Sequence, residues 1–178
     1  MTEPEHPVTP HLILGAAKSG KSSYAERLCS ALAPPRLYIA TAQVLDDEMK
    51  DRVRRHRRRR DSSWQTIEAP FDLLRVLEMQ QGRGIPLLVD CLTLWLSNLL
   101  LTESDPGLPE AQTRRLCTLL QTVDYPLFLV SNEVGAGIVP GNALARRFRD
   151  LAGMANQEIA AACRAVSLVV AGIPMRIK

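Results

Sequence analysis

Short apolar runs recur along the chain at residues 12–14, 37–40, 86–90, 126–131 and 166–171. A strand with one face in water alternates apolar and polar positions, whereas these runs are apolar throughout and suit strands covered on both faces. Between them, amphipathic spacing predicts helices over 22–33, 46–60, 71–81, 93–101, 109–122 and 143–165. Alternation of strand and helix predicts an α/β fold with a mainly parallel sheet flanked by helices. In such sheets ligands bind beyond the carboxyl ends of the strands. The prolines in residues 1–10 mark that stretch as a flexible N-terminal extension, leaving residues 11–178 as a single domain.

Composition narrows the class. At 178 residues, 46% hydrophobic and 23% charged, the chain has the size and make-up of one globular domain, which excludes disorder and fibrous repeats. The apolar runs stop short of the roughly 18 residues that a membrane helix needs. No basic start or apolar h-region opens the chain. A cytoplasmic protein without membrane insertion is expected. Cys29, Cys91, Cys117 and Cys163 lie far apart among apolar neighbours, as core thiols do, with no CxxC pair.

The net charge of +3 is a poor summary, because seven arginines fall between Arg52 and Arg60 and the chain would carry −4 without them. This basic character is local and needs a local explanation.

One motif carries chemistry by itself. Gly15-Ala16-Ala17-Lys18-Ser19-Gly20-Lys21-Ser22 fits GxxxxGK[ST], with a strand expected before it and a helix after it. Its glycines let backbone N–H groups curl around a phosphate. Lys21 reaches the outer phosphates, and the Ser22 hydroxyl is a Mg²⁺ ligand. The helix N-terminus adds partial positive charge. Asp90 ends an apolar run, where a carboxylate at a strand tip holds Mg²⁺ through water.

The arginine-rich segment has acids at its start and bases at its end, in keeping with the helix dipole. Met49, Val53 and His56 share one face of that helix, which is expected to look inward. Two readings of His56 stand at this point: a nucleophile or general base beside bound phosphates, or a packed residue with a satisfied hydrogen bond. The arginines likewise read as phosphate ligands, as a solvated face or as a nucleic-acid contact. No aromatic residue is interleaved among them and the rest of the chain is net acidic, which weighs against nucleic acid. Asn132 and Glu133, at the end of the strand near 126–131, suit either polar binding or turn capping.

Taken together, the motifs resemble the bifunctional adenosylcobinamide kinase/adenosylcobinamide-phosphate guanylyltransferase family of cobalamin biosynthesis. Besides the phosphate loop, the matching segments include Tyr38-Ile-Ala-Thr-Ala42, Asp47-Glu-Met49 with Arg52 and His56, and Trp64-Gln-Thr-Ile-Glu68-Ala-Pro70. Further along come Val89-Asp-Cys-Leu-Thr93, Val130-Ser-Asn-Glu-Val-Gly-Ala-Gly-Ile-Val-Pro140 and Val170-Ala-Gly-Ile-Pro174, in family order to the end of the chain. Ala16 replaces the second glycine of the family's usual opening, Lys18 replaces its arginine, and Arg164 stands where an acid is common.

The resemblance implies a P-loop (RecA-like) nucleotide-binding fold and two reactions on one domain. ATP or GTP phosphorylates adenosylcobinamide. GTP then donates GMP through a GMP-histidine intermediate, giving adenosylcobinamide-GDP and pyrophosphate. It implies that Gly15–Ser22 bind guanine-nucleotide phosphates and that Ala40, Thr41, Ala42, Arg57, Arg58, Arg59, Arg60, Glu68 and Asp90 line the nucleotide site. It makes His56 the guanylylated residue, Mg²⁺ the cofactor and a homotrimer the assembly. Neighbouring arginines disfavour a further positive charge, so His56 is expected to be neutral at pH 7, as a nucleophile must be.

Overall fold

The computed structural model describes residues 7–43, 46–102, 105 and 107–178; for residues 48, 49, 52, 55 and 56 it describes the backbone alone. The elements run β1 (His11–Gly15), α1 (Lys21–Ser30), β2 (Arg36–Ala40), α2 (Asp47–Arg58), β3 (Trp64–Glu68), α3 (Leu73–Glu78) and β4 (Leu87–Asp90). They continue with α4 (Leu92–Leu101), α5 (Leu108–Leu120), β5 (Leu127–Asn132), α6 (Ala143–Ala162), β6 (Ala165–Val170) and β7 (Ile173–Arg176). The strands form one sheet in the order β3-β2-β4-β5-β1-β6-β7. All neighbours pair in parallel except β6 and β7, which are antiparallel. The expected α/β architecture is therefore present, with two additions at its edges, β3 and β7.

Strands in the middle of this sheet are buried on both faces, which explains their unbroken apolar runs. One face carries Leu12, Leu14, Leu37, Ile39, Leu87, Val89, Leu127 and Leu129, packed beneath α3, α4, α5 and α6. Trp95 of α4 is fully buried there. On the other face, Ile13, Tyr38, Leu88, Phe128 and Val130 meet Tyr24, Ala25, Leu28 and Cys29 of α1. That helix packs against β1, β4, β5 and β6. The carboxyl ends of β2 and β3 on this face are left uncovered by it, and that gap becomes the candidate site. Of the four thiols, Cys29, Cys91 and Cys163 are buried as expected, while Cys117 on α5 is only half-buried.

At the opposite end of the sheet, His11 opens β1 in the interior, its Nε2 2.9 Å from Ser167 Oγ. Burial, with Arg176 adding to it, lowers its pKa from 6.5 to about 4. The unfolded chain therefore takes up this proton first as the pH falls. Stability is complete above pH 6.5 and is lost between 6.5 and 4, by about 3 kcal/mol at the low end. Urea titrations at pH 7 and pH 4.5 should show this decline, and His11→Gln should flatten the part that His11 contributes.

Candidate active site

β1 runs straight into the phosphate loop. Ser19 N–H donates to the Ala16 carbonyl at 3.2 Å, and Lys18 and Gly20 take positive φ values of 57° and 95°. Gly20 then caps α1, so the N–H groups of the first helical turn face the loop's mouth. Ala16, Ala17 and Lys18 are exposed, Ser19 is buried and Ser22 is half-buried in the first turn. Lys21 is only 5% exposed, and its Nζ donates to the Ala16 carbonyl at 3.1 Å, closing the loop on itself. A second element braces it. The β6–β7 turn places Gly172, at φ 82°, so that its N–H donates to the Ser19 carbonyl at 2.8 Å.

Along the same edge of the sheet, past β5, lies an open pocket of about 610 Å³. Register explains its lining. Tyr38 pairs with Thr66, and Ala40 pairs with both Glu68 and Asp90. Because side chains alternate along strands, these residues all project to the face that α1 leaves open. Ala42, Cys91 and Leu94 complete the floor, while Val53, Arg57 and Arg60 come from α2 and the turn after it. A neighbouring depression continues past Arg57 and Arg60 to Asp61 and Trp64.

Hydrogen bonds fix the floor. The Thr41 hydroxyl donates to the Cys91 carbonyl at 2.7 Å and accepts from the Cys91 N–H at 2.8 Å. Asn98 on α4 donates to the carbonyls of Thr41 and Pro70. The Tyr38 hydroxyl donates to Asp90 Oδ2 at 3.0 Å, and the Arg60 guanidinium sits 3.4 Å from the centre of the Tyr38 ring. Burial, reinforced by Asp90, drives the Tyr38 pKa far up, so the phenol keeps its proton and remains a donor. Arg60 has its pKa lowered by burial, an effect opposed by Tyr38, Glu26 and Asp90.

Six of the residues expected at a nucleotide site thus converge: Ala40, Ala42, Arg57, Arg60, Glu68 and Asp90. Thr41 is fully buried and serves the floor instead. Arg58 is exposed, and Arg59 turns toward α1, outside the pocket lining. The phosphate loop lies at β1, separated from β4 by β5. His56 belongs to the C-terminal part of α2, and its side chain, like that of Met49, lies outside the described residues. Val53, on the face expected to point inward, does line the pocket. At the end of β5, Asn132 N–H donates to Thr93 Oγ1, and Asn156 donates to the Asn132 carbonyl. Glu133 Oε1 accepts from Gly135 N–H at 3.4 Å, a turn contact.

Tyr38 and Thr66 were not anticipated as site residues, although each stands two positions before one that was, on the same face of its strand. Among the described residues, no group of three or more His, Cys, Asp or Glu side chains gathers as a metal site. The expectation of Mg²⁺ rests on Ser22 and Asp90. A hydroxyl and a carboxylate are hard oxygen donors that fit this ion when phosphate oxygens and water complete its shell.

Comparison with known proteins adds an independent line. A sequence model of the family described as cobinamide kinase / cobinamide phosphate guanyltransferase matches residues 11–177. The chain is 47% identical to the bifunctional adenosylcobalamin biosynthesis protein CobP of Pseudomonas aeruginosa, with 94% of this chain and 96% of that protein covered. It is 41% identical to the bifunctional adenosylcobalamin biosynthesis protein CobU of Salmonella typhimurium, with 94% and 98% covered. Among solved structures, a protein from Pyrococcus horikoshii OT3 superposes with a TM-score of 0.53 at 8% identity, covering 94% of this chain and 85% of that one. An ATPase from the type III secretion system of pathogenic bacteria gives 0.52 at 13% identity, with 89% and 50% covered. These last two similarities concern the fold alone.

Proposed function

Since the chain belongs to the cobinamide kinase / cobinamide phosphate guanyltransferase family, we propose that its one domain, residues 11–178, carries out both transfers at the carboxyl edge of the sheet. The observation that carries this reading is the placement of the phosphate loop and the pocket of Ala40, Ala42, Arg57, Arg60, Glu68 and Asp90 along that single edge. GTP lies with its phosphates toward the loop and its nucleoside toward the pocket. We assign the chain to the cytoplasm as a homotrimer, on its family resemblance.

In the first reaction the hydroxyl of adenosylcobinamide attacks the γ-phosphorus of ATP or GTP, and the bond to the β-phosphate oxygen breaks. Lys21 and the N–H groups of the loop hold the charge that moves onto the leaving nucleoside diphosphate. Mg²⁺, held by Ser22 and Asp90, supplies further neutralisation of phosphate charge when bound. In the second reaction an imidazole nitrogen of His56 attacks the α-phosphorus of GTP, and pyrophosphate departs. A phosphate oxygen of adenosylcobinamide phosphate then attacks that phosphorus and the P–N bond breaks, returning His56 and giving adenosylcobinamide-GDP. Histidine suits the task because a P–N bond is readily cleaved again, which divides one hard transfer into two easier ones. Arg57 and Arg60, which line the pocket, offset the charge that develops during this guanylyl transfer.

The test uses the purified protein with Mg²⁺ and GTP labelled at either the α- or the γ-phosphate. Label from α-labelled GTP alone, stable to denaturation and lost in mild acid, is the expected result. Absence of that label from a protein that still binds GTP would remove the guanylyl transfer and leave a plain kinase.

A further inference from the structure

α2 is an unusual element to place over a reaction site. Its sequence, Asp47-Glu-Met-Lys-Asp-Arg-Val-Arg-Arg-His-Arg-Arg58, has few apolar side chains with which to pack. Among the described residues it makes no extensive packing contact with any strand or helix. A helix with so few apolar side chains gains little from the burial that fixes most helices in proteins. Something else must set where its last turn, which includes His56, stands relative to the phosphate loop.

The turn that follows α2 is fastened to α1. Arg59 Nη1 donates to Ser23 Oγ at 2.7 Å, and Arg59 Nε lies 3.5 Å from Glu26 Oε2. The Glu26 side chain is only 11% exposed, whereas that of Arg59 is 42% exposed. The anchor is therefore the rigid, buried partner and the arginine is the arm that reaches it. Burial raises the Glu26 pKa, with Arg59 opposing the shift and Asp90 adding to it. This carboxylate thus stands in the same electrostatic neighbourhood as Asp90 and Arg60. Ser23 and Glu26 belong to the helix whose first residues are Lys21 and Ser22. The arm consequently ties the end of α2 to the same rigid body that carries the phosphate-binding groups.

We propose that Glu26 is a positioning residue for guanylyl transfer: through Arg59 it holds the C-terminal end of α2 in register with the phosphate loop. The proposal rests on the reading of His56 as the guanylylated residue. With Arg59 42% exposed the pair is partly screened by water, so its value lies mainly in placement, where small displacements of a reacting group cost orders of magnitude in rate. γ-Phosphoryl transfer does not involve α2's histidine and is independent of the tether.

The experiment compares wild-type protein with Glu26→Gln and Ser23→Ala, neither of which alters a group assigned to nucleotide or metal. In Glu26→Gln the kcat for guanylyl transfer is expected to fall about tenfold or more, with KM for GTP, the melting temperature and the kinase rate little changed. Ser23→Ala is expected to show the same pattern more weakly. In an Arg59→Ala background the Glu26→Gln change should have no further effect, since the carboxylate acts through that arginine. Equal losses in both reactions, a falling melting temperature that accounts for the rates, or additive effects with Arg59→Ala would each overturn the proposal. Wild-type protein that never acquires the α-phosphate label would instead refute the function on which it rests, so the two failures are distinct.

Discussion

Replacing His56 with asparagine is expected to abolish acid-labile labelling from α-labelled GTP, together with exchange of pyrophosphate into GTP. GTP affinity and γ-phosphoryl transfer should survive. Asparagine is polar and comparable in helix propensity, so α2 has little reason to change. Its amide nitrogen has a delocalised lone pair and cannot take the place of an imidazole. Loss of the group that forms a covalent intermediate removes a step rather than weakening it, and a fall of about 10³-fold or more is the appropriate scale. Equilibrium binding of a fluorescent guanine nucleotide, quantitation of protein-bound label, a pyrophosphate-exchange assay and a coupled kinase assay together read all four quantities. Persistence of the label in this variant would place the nucleophile elsewhere.

The second large effect concerns Gly15. An alanine Cβ there would collide with Ser19 Oγ and lie 2.7 Å from the Val169 carbonyl oxygen, both well inside contact distance. The serine could rotate, but the carbonyl belongs to β6, which pairs with β1 residue for residue. The loop must therefore move outward at its first residue. That displacement carries the Ala16 carbonyl with it, and this carbonyl receives both the Ser19 N–H and the Lys21 ammonium. Gly15→Ala should weaken nucleotide binding and slow both reactions by about 10²-fold, the cost of misplacing preorganised donors. Destabilisation of about 1–3 kcal/mol should accompany it. Titration calorimetry with GTP and thermal melts check the two parts. By contrast, Gly84→Ala meets nothing within 4 Å, so its only penalty is that of its φ of 63°, away from the site.

Much of the architecture could be read before any coordinates. β1, β2, β4, β5 and β6 coincide within a residue with the expected runs, because interior parallel strands have no polar alternation to obscure them. β3 and β7 were not legible. Trp64–Glu68 is mostly exposed at the sheet's edge, and Ile173–Arg176 forms the other edge and contains a proline. Edge strands have no continuous apolar signature, and proline is tolerated only there. The phosphate loop was legible because its contacts are local in sequence. The pocket was only partly so. Its lining depends on pairing between β2, β3 and β4, and register between distant segments has no local signal. Thr41 illustrates the limit: its position matches a nucleotide-lining pattern, but its hydroxyl is engaged by Cys91. The Glu26–Arg59 contact was equally hidden, since it joins α1 to a turn from a different part of the chain.

The support that Gly172 gives to Ser19 also orders events in time. β1 precedes the other described strands along the chain, yet its neighbours in the sheet are β5 and β6, and the brace on its loop comes from residue 172. A nascent chain emerging from the ribosome thus exposes Leu12, Ile13 and Leu14 through most of translation with no partner strand for them. Their closure requires contacts across more than a hundred residues, the kind that slow folding and leave apolar segments open to aggregation. The phosphate loop, made before β2 through β7, is thus among the last parts of the domain to be braced, and a chain ending before β6 lacks both the β1–β6 pairing and the Gly172 contact.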